Sequence, residues 1–255
     1  MKISIITVVY NNEKEIEDTI KSVLNQTYKN IEYIIIDGSS TDNTRNIIKK
    51  YIKKISIFIS EPDNGLYYAM NKGIRIATGD VIGFINSDDF YFSSSVIEKI
   101  ADEFISKKID CLYGDIVYVE SKNSSKIIRY WKSKKYEKGL FKKGWHPAHP
   151  SFFVKKHIYD KYGVFNTNFT IAADYELMLR FLEKNNILSS YLPEVLVKMR
   201  SGGQSNKNIL KIIKANIESY KAWKTNFLYI NPIIFLKKPI SKIFQYFKIK
   251  NLKQV

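Results

Sequence analysis

Two adjacent carboxylates stand at the end of an apolar run in the first third of the chain. Residues 81–85 are all apolar or glycine and lead directly into Asn86-Ser87-Asp88-Asp89. Such a run predicts a buried β-strand. A strand that delivers Asp88 and Asp89 at its carboxyl end could hold a divalent cation against a phosphate, because hard cations prefer oxygen ligands. A turn that caps the next helix would have the same residues, so the segment alone leaves both interpretations open.

Three other segments repeat this design of an apolar run followed by a polar turn. They cover residues 3–9, 31–36 and 55–59, and amphipathic segments over 13–25 and 44–52 lie between them. Alternating apolar strands and amphipathic helices predict the α/β class, with a mostly parallel sheet covered by helices on both faces.

The polar turns of such a sheet should meet at one edge. Ligands bind beyond the carboxyl ends of parallel strands, and each of the four predicted strands has a polar turn there. The sequence therefore predicts one cleft that contains Tyr10, Asp37, Asp63 and Asp88.

Composition restricts the class of protein. The chain has 255 residues, of which 45% are hydrophobic and 14% aromatic. This is enough for a packed core and excludes a disordered protein. The one cysteine, Cys111, lies in an apolar run, so we predict a buried structural thiol and a reducing, cytoplasmic location. The N-terminal residues have no cleavage pattern, so we predict no signal peptide.

Seven short motifs follow one another over residues 1–205. They are Ile6-Thr7-Val8-Val9-Tyr10-Asn11-Asn12, Asp37-Gly38-Ser39-Ser40-Thr41-Asp42, Glu61-Pro62-Asp63-Asn64-Gly65, Ala69-Met70-Asn71-Lys72-Gly73, Ala77-Thr78-Gly79-Asp80, Asn86-Ser87-Asp88-Asp89 and Ala173-Asp174-Tyr175-Glu176. In this order they resemble the inverting family-2 glycosyltransferases, in particular the bacterial branch that builds capsule, O-antigen and related polysaccharides on lipid carriers. The resemblance implies a GT-A catalytic domain over 1–205, with a nucleotide-sugar half to about residue 110 and an acceptor half over 111–205.

The resemblance assigns much of the predicted cleft to a nucleotide-sugar donor. Asp88 matches the family's metal-binding carboxylate, where Mn²⁺ or Mg²⁺ would act as a Lewis acid on the departing diphosphate. Asn86 replaces the first aspartate of that motif, which would weaken metal binding. Asp37 matches a carboxylate that accepts the N–H of uracil. The implied nucleotide-sugar-binding residues are Thr7, Val9 and Tyr10 around the base, Asp37, Asp63, Asn71, Lys72, Asn86, Ser87, Asp88, and Arg200 at a phosphate.

Several of these residues also have a plainer interpretation. Asp37 could belong to an Asp-Gly turn, Ser39 and Asp42 match a helix-capping box, and Lys72 could be a solvated lysine. Relatives usually carry aspartate where this chain has Tyr68, so any role of that carboxylate is missing here.

Asp174 matches the acidic catalytic residue of the family. We predict that it is the general base that deprotonates the acceptor hydroxyl. Because it precedes the amphipathic residues 175–182, a helix N-cap is the alternative. His149 matches a family position near the metal or the acceptor, and we predict it as a metal ligand together with Asp88. A structural histidine is the alternative.

Basic charge is concentrated at the C-terminus. Residues 206–255 contain eleven lysines and one acidic residue, Glu218, and so carry ten of the chain's sixteen net positive charges. Two apolar stripes at helical spacing and several aromatic residues accompany the lysines, which predicts a basic amphipathic helical tail that docks on an anionic membrane. Packing of the first helix on the catalytic domain is the alternative. The aromatic residues that we predict to contact the membrane include Trp223, Phe227, Phe235 and Phe247.

The sequence thus predicts an inverting, metal-assisted glycosyltransferase that uses a UDP-sugar and a lipid-linked saccharide acceptor. Its predicted location is the inner face of the plasma membrane, as a peripheral protein. No nucleic-acid-binding motif accompanies the basic charge, so we predict no nucleic-acid partner. A protein or free-sugar acceptor, or a nucleotide-sugar-binding module without activity, remains open.

Overall fold

A computed structural model describes residues 1–201 and 209–231. Over these residues nine strands form one mixed sheet. The strands are β1 Ile3–Val9, β2 Ile31–Asp37, β3 Ile57–Ser60, β4 Val81–Phe84, β5 Phe90–Tyr91, β6 Cys111–Glu120, β7 Asn123–Trp131, β8 Phe153–Lys155 and β9 Ser189–Arg200.

Seven α-helices connect the strands of the described chain. They are α1 Ile16–Leu24, α2 Thr44–Lys49, α3 Leu66–Ile76, α4 Val96–Ser106, α5 Lys156–Tyr162, α6 Ala173–Met178 and α7 Ile209–Thr225. The helix that begins at α6 continues with π-helical geometry over Leu179–Lys184.

The strand order is β3-β2-β1-β4-β8-β6-β9-β5, and β7 pairs with β6. Strands β1 to β4 run parallel, as predicted, and β6 is parallel to β9. Strand β8 joins these two parallel parts by pairing antiparallel with both β4 and β6. The carboxyl ends of β1, β2 and β4 therefore lie side by side at one edge of the sheet.

Helices cover both faces of the sheet, which confirms the predicted layers. One core layer packs under α1, α2 and α4, and the other under α3, α5, α6 and α7. Gly73, in the Asn-Lys-Gly motif of α3, allows this helix to pack closely on β1. A Cβ at this position would lie 2.6 Å from Ile6 Cγ2, which leaves no room for a side chain. Cys111 is fully buried, as predicted, and burial raises the pKa of its thiol well above the ordinary value.

Two predicted helices are shorter than expected. Residues 13–15 form a turn closed by hydrogen bonds from Glu15 N–H and Ile16 N–H to Asn12 O, so α1 begins only at Ile16. Helix α2 ends at Lys49 because the next N–H groups bond three residues back, as in Tyr51 N–H to Ile48 O at 2.9 Å, which is 3₁₀ geometry.

Helix α7 packs on α6. Trp223 is completely buried and its Nε1 donates a hydrogen bond to Tyr175 Oη at 2.9 Å. The prediction that Trp223 faces a membrane is therefore wrong. Phe227 is 93% exposed, and Phe235 and Phe247 lie outside the described residues. Within residues 1–201 and 209–231, no helix has the length and apolar character needed to cross a bilayer.

Candidate active site

Three loops meet at the carboxyl edge of the sheet and are tied together by asparagines. Asn11 lies in the loop after β1, and its Oδ1 accepts the N–H of Thr41, in the loop after β2, at 2.7 Å. Asn12 Nδ2 donates to Ser87 O and Ser87 Oγ, both at 3.0 Å, in the loop after β4. These bonds assemble the predicted cleft from loops that follow three separate strands.

The first part of the cleft lies around Asp37. The Asp37 carboxylate is buried and accepts hydrogen bonds from Ser40 and from Ser60 Oγ at 2.6 Å. Tyr10 is 63% exposed and contacts Gly38. The structure thus brings together an exposed aromatic ring and a buried, ionisable acceptor.

Thr7 and Val9 do not share this exposure. Both side chains are buried among the residues under α1 and α2, and Thr7 Oγ1 lies 3.2 Å from Tyr33 Oη. Of the three residues predicted around the base, only Tyr10 therefore offers an exposed side chain to the cleft. The predicted capping box also fails, because Asp42 rather than Ser39 accepts the N–H of Thr44 at the start of α2.

Lys72 forms an ion-pair cluster. Its Nζ lies 2.7 Å from Asp63 Oδ1 and 2.6 Å from Glu61 Oε1, so it is not a solvated lysine. Although burial opposes its charge, the hydrogen bonds to Asp63 and Glu61 raise the pKa of Lys72. Asp63 Oδ2 is buried and has no hydrogen-bond partner among the described residues. Lys72 therefore offsets part of the negative charge of these two carboxylates.

Asn71 has a structural role. Its Nδ2 donates to Phe165 O at 2.8 Å and its Oδ1 accepts Phe165 N–H at 2.9 Å. Both ends of the amide are therefore occupied by the backbone of Phe165, whereas the sequence predicted a nucleotide contact here. The Phe165 ring packs against Phe84 and His149, so Asn71 acts on the cleft by holding this loop.

Asp88 and Asp89 have different environments. Asp89 is buried, and Asn86 Nδ2 donates to its Oδ2 at 3.0 Å. Burial and the neighbouring charge of Asp88 raise the pKa of Asp89 well above its usual value. Asp88 is half-buried, and its pKa is raised by burial and by the negative charge of Glu15. Only Asp88 is accessible to a cation.

The helix-capping alternative for this segment is wrong. The short strand β5 follows Asp89 directly, and α4 begins only at Val96 with Ser95 at its N-cap. Arg200, at the end of β9, instead approaches the segment. Its Nη1 donates to Asp88 O at 3.1 Å and its Nη2 lies 2.5 Å from Asp18 Oδ2.

Asp174 lies in the first turn of α6 and is not its N-cap, which is Ala172. Its Oδ1 accepts the N–H of Tyr175 at 2.8 Å and lies 3.5 Å from Tyr67 Oη, so Oδ2 is left without a hydrogen bond among the described residues. The Tyr67 hydroxyl itself donates to Ile171 O at 2.7 Å. The sequence interpretation missed Tyr67, although it stands next to Tyr68 in the same motif.

His149 connects the two parts of the cleft. Its ring packs on Phe84, the last residue of β4, with centroids 5.7 Å apart. Burial lowers the pKa of His149, and the negative charge of Asp174 only partly opposes this shift. His149 is thus a neutral ring between the strand that leads to Asp88 and the helix that carries Asp174. No group of three or more metal-ligating side chains occurs in the described part of the chain.

The family model described as Glycosyl transferase family 2 matches residues 4–163. An uncharacterized glycosyltransferase of Rickettsia typhi is 28% identical over 236 residues, which cover 89% of this chain and 71% of that protein. A PGL/p-HBAD biosynthesis glycosyltransferase of Mycobacterium tuberculosis is 26% identical over 209 residues, which cover 80% of this chain and 78% of that protein.

Solved structures show the same fold at lower identity. Residues 1–349 of S. aureus TarS, in complex with UDP-GlcNAc, superpose with a TM-score of 0.69 at 18% identity, covering 100% of this chain and 76% of that one. The mannosyltransferase PcManGT of Pyrobaculum calidifontis, in complex with GDP-Man and Mn²⁺, gives 0.66 at 15% identity, covering 98% and 70%. These likenesses confirm the predicted GT-A fold.

Proposed function

This chain belongs to glycosyl transferase family 2, and we propose that it transfers a sugar, with inversion, from a UDP-sugar to a lipid-linked saccharide acceptor in polysaccharide biosynthesis. One observation carries the proposal. Phe84, at the end of β4, and His149 both pack on Phe165. Phe165 stacks on Tyr67, whose hydroxyl lies 3.5 Å from Asp174 Oδ1. This set of contacts supports a donor diphosphate at Asp88 and an acceptor hydroxyl at Asp174 in one cleft.

The proposed donor site uses the cleft around Asp37. The exposed ring of Tyr10 would stack on the base, and Asp37 would accept the N–H of uracil. Asp37 already accepts hydrogen bonds from Ser40 and Ser60, which hold its carboxylate in place for a further donor. The unpartnered Asp63 Oδ2 would accept a ligand hydroxyl or N–H, because an unpaired buried oxygen is costly.

Asp88 fits a divalent cation that binds together with the donor. Mg²⁺ is commonly held by one or two carboxylates and the phosphates of a substrate, so a cluster of three protein ligands is not required. Burial, and to a lesser extent the charge of Glu15, raise the pKa of Asp88, and a bound cation would oppose this shift by stabilising the ionised carboxylate. When bound, Mn²⁺ or Mg²⁺ would supply Lewis-acid stabilisation of the leaving diphosphate. His149 would offer a neutral ring nitrogen, and Asn86 and Ser87 would offer neutral oxygens.

The cationic side chains near the cleft would assist the leaving group. Arg200 is anchored beside Asp88 by its hydrogen bond to Asp88 O, and its guanidinium would face a phosphate. Lys72 would reach the diphosphate by exchanging one of its carboxylate partners for a phosphate oxygen.

Asp174 would be the general base. The acceptor oxygen attacks the anomeric carbon, the bond from that carbon to the diphosphate breaks, and Asp174 Oδ2 takes the hydroxyl proton. A single displacement of this kind inverts the anomeric configuration and releases UDP. Buried Tyr67 supports the base, because burial and the charge of Asp174 raise the pKa of its hydroxyl and keep it protonated.

A lipid-linked acceptor is proposed from the charge of the C-terminal segment. Lys221 and Lys224 are exposed on α7, and Phe227 and Tyr229 are 93% and 83% exposed just beyond it. Basic residues beside exposed aromatic rings suit an anionic membrane surface. The enzyme would thus act as a peripheral protein at the cytoplasmic face of the plasma membrane.

The test is UDP release from a panel of UDP-sugars, with GDP-sugars for comparison, in the presence of Mn²⁺ or Mg²⁺. We expect metal-dependent release from one UDP-sugar, stimulated by a lipid-linked saccharide and abolished by chelation. Release from GDP-sugars alone would contradict the donor assignment. Stimulation by a soluble saccharide or a protein, and not by the lipid-linked one, would contradict the acceptor assignment.

A further inference from the structure

Glu218 of α7 binds the turn that precedes the proposed base. Its side chain is buried, and its carboxylate accepts the backbone N–H groups of Thr170, Ile171 and Ala172 at 3.1, 2.8 and 2.9 Å. It also accepts the hydroxyl of Thr170 at 2.8 Å. One side chain thus holds three consecutive peptide groups directly before α6, the helix that carries Asp174.

The residue at the N-cap of α6 offers no side-chain acceptor to the preceding turn. Its N-cap residue is Ala172, which has no side-chain oxygen to accept the N–H groups exposed at a helix start. A negative charge at that position also interacts favourably with the helix dipole. Although burial opposes its ionisation, the hydrogen bonds from Ile171, Ala172 and Thr170 lower the pKa of Glu218. Glu218 therefore supplies, from α7, an ionised acceptor for the backbone N–H groups that lead into α6.

The same turn is held from its other side by Tyr67. The backbone N–H of Ile171 donates to Glu218, and the backbone carbonyl of the same residue accepts the Tyr67 hydroxyl at 2.7 Å. That hydroxyl lies 3.5 Å from Asp174 Oδ1. A continuous set of contacts therefore runs from Glu218 through Ile171 and Tyr67 to Asp174.

Trp223 of α7 and Asn226, the residue after its end, contact the two residues that follow Asp174. Trp223 donates to Tyr175 Oη, and Asn226 Nδ2 donates to Glu176 Oε1, both at 2.9 Å. Together with the bonds from Glu218 to residues 170–172, these contacts hold the chain both before and after the proposed base.

We propose that Glu218 is a positioning residue for Asp174, and that α7 is consequently a working part of the active site. This inference rests on the proposed role of Asp174 as base. Loss of the carboxylate frees the turn over 170–172 and misplaces Asp174, and a displacement of about 1 Å can reduce catalysis on the order of 100-fold. The donor site is built on other elements and keeps its affinity.

The experiment compares Glu218→Ala with Ala222→Gly in the full chain, with UDP affinity, Tm, kcat and KM as readouts. Ala222 is buried on the same helix, and its replacement by glycine weakens α7 without removing a contact to the turn. We expect Glu218→Ala to lower kcat by 10-fold to 100-fold with UDP affinity within twofold of wild type. Ala222→Gly should lower Tm and keep kcat within twofold. An equal loss of kcat in both variants, or none in Glu218→Ala, overturns the inference.

A double-mutant cycle separates this inference from the proposed function. In an Asp174→Asn background, Glu218→Ala should cause no further loss, because no base remains to be positioned. Additive losses overturn the positioning role. If Asp174→Asn retains full transfer, the proposed role of Asp174 as base is wrong, whatever the effect of Glu218→Ala.

A second variant serves if Glu218→Ala does not fold. Thr170→Val removes only the hydroxyl bond to Glu218 and should lower kcat about twofold to fivefold. An unchanged kcat overturns the inference.

Discussion

The side-chain amide of Asn71 forms a two-point hydrogen bond with the backbone of Phe165, 94 residues later in the chain. This pairing joins α3, at the donor side of the cleft, to the loop whose aromatic ring packs on His149. A residue in a motif that suggested ligand binding thereby holds the two halves of the site in register.

Replacement of Asn71 by alanine should therefore act on stability first. It leaves the N–H and the carbonyl of Phe165 without partners in a buried place, which costs about 2 to 4 kcal/mol. Chemical denaturation measures this loss. Asn46→Ala, at an exposed position with one side-chain bond, should change stability by less than about 0.5 kcal/mol. A stable Asn71→Ala protein that fails to bind UDP would restore the nucleotide-contact interpretation.

Replacement of Asp174 by asparagine should lower transfer about 10²-fold to 10⁴-fold while UDP binding stays nearly unchanged. The amide keeps the shape of the side chain but cannot accept the acceptor proton, and a general base contributes about 10²-fold to 10⁴-fold to rate. Turnover and UDP calorimetry provide the two measurements, with the exposed Asp160→Asn as control. Transfer within tenfold of wild type would remove Asp174 from the mechanism.

Replacement of Asp88 by alanine should weaken metal-dependent UDP binding. In this variant the proposed cation would still bind the diphosphate of UDP, but it would lack the carboxylate ligand that Asp88 supplies. Titration of Mn²⁺ in the presence of UDP should show at least about a tenfold loss of affinity, since each carboxylate ligand contributes strongly. Asp102→Ala, an acidic residue on the surface of α4, is the control. Unchanged metal affinity in Asp88→Ala would exclude Asp88 as a ligand.

Glu32 should contribute a pH-dependent part of the stability. Although burial opposes its charge, hydrogen bonds from Ser4 and Thr78 lower its pKa below the ordinary 4.5. A carboxylate with a lowered folded pKa stabilises the protein above the unfolded pKa, and the contribution is lost as pH falls. Glu32→Gln should therefore lower Tm at pH 7 by more than at a pH below 4.5. The exposed Glu137→Gln should show no such pH dependence, and an equal Tm loss at both pH values would contradict this prediction for Glu32.

Removal of the residues after Asn231 should separate membrane binding from catalysis. A cut after Thr225 would remove Asn226, which bonds Glu176, and the buried Ile230, so it would damage the catalytic domain. The chain ending at Asn231 should stay folded, release UDP at the wild-type rate, and sediment less with anionic liposomes at low salt. Equal sedimentation of both proteins would place membrane binding elsewhere or exclude it.

The general plan of this protein was readable in the sequence because its signals are local. Four apolar strands each end in a polar turn, and a parallel sheet brings such turns to one edge without further information. The positions of Asp37, Asp88 and Asp174 along the elements followed from this pattern and from the family resemblance.

The errors concern residues whose environment depends on distant parts of the chain. Thr7 and Val9 lie on a strand buried on both faces, where an apolar run gives no sign of which side chains reach the cleft. The partner of Asn71 lies in another element. Trp223 belongs to a stripe whose spacing is the same whether a core or a membrane covers it.

The buried state of Cys111 makes this protein convenient for site-specific labelling. It is the single cysteine of the chain, it is fully buried, and its raised pKa keeps the thiol protonated and unreactive. A cysteine introduced at exposed Tyr68, beside the cleft, would therefore carry a maleimide fluorophore without prior removal of the native thiol. Fluorescence from that single position would follow donor binding directly in the otherwise unmodified enzyme.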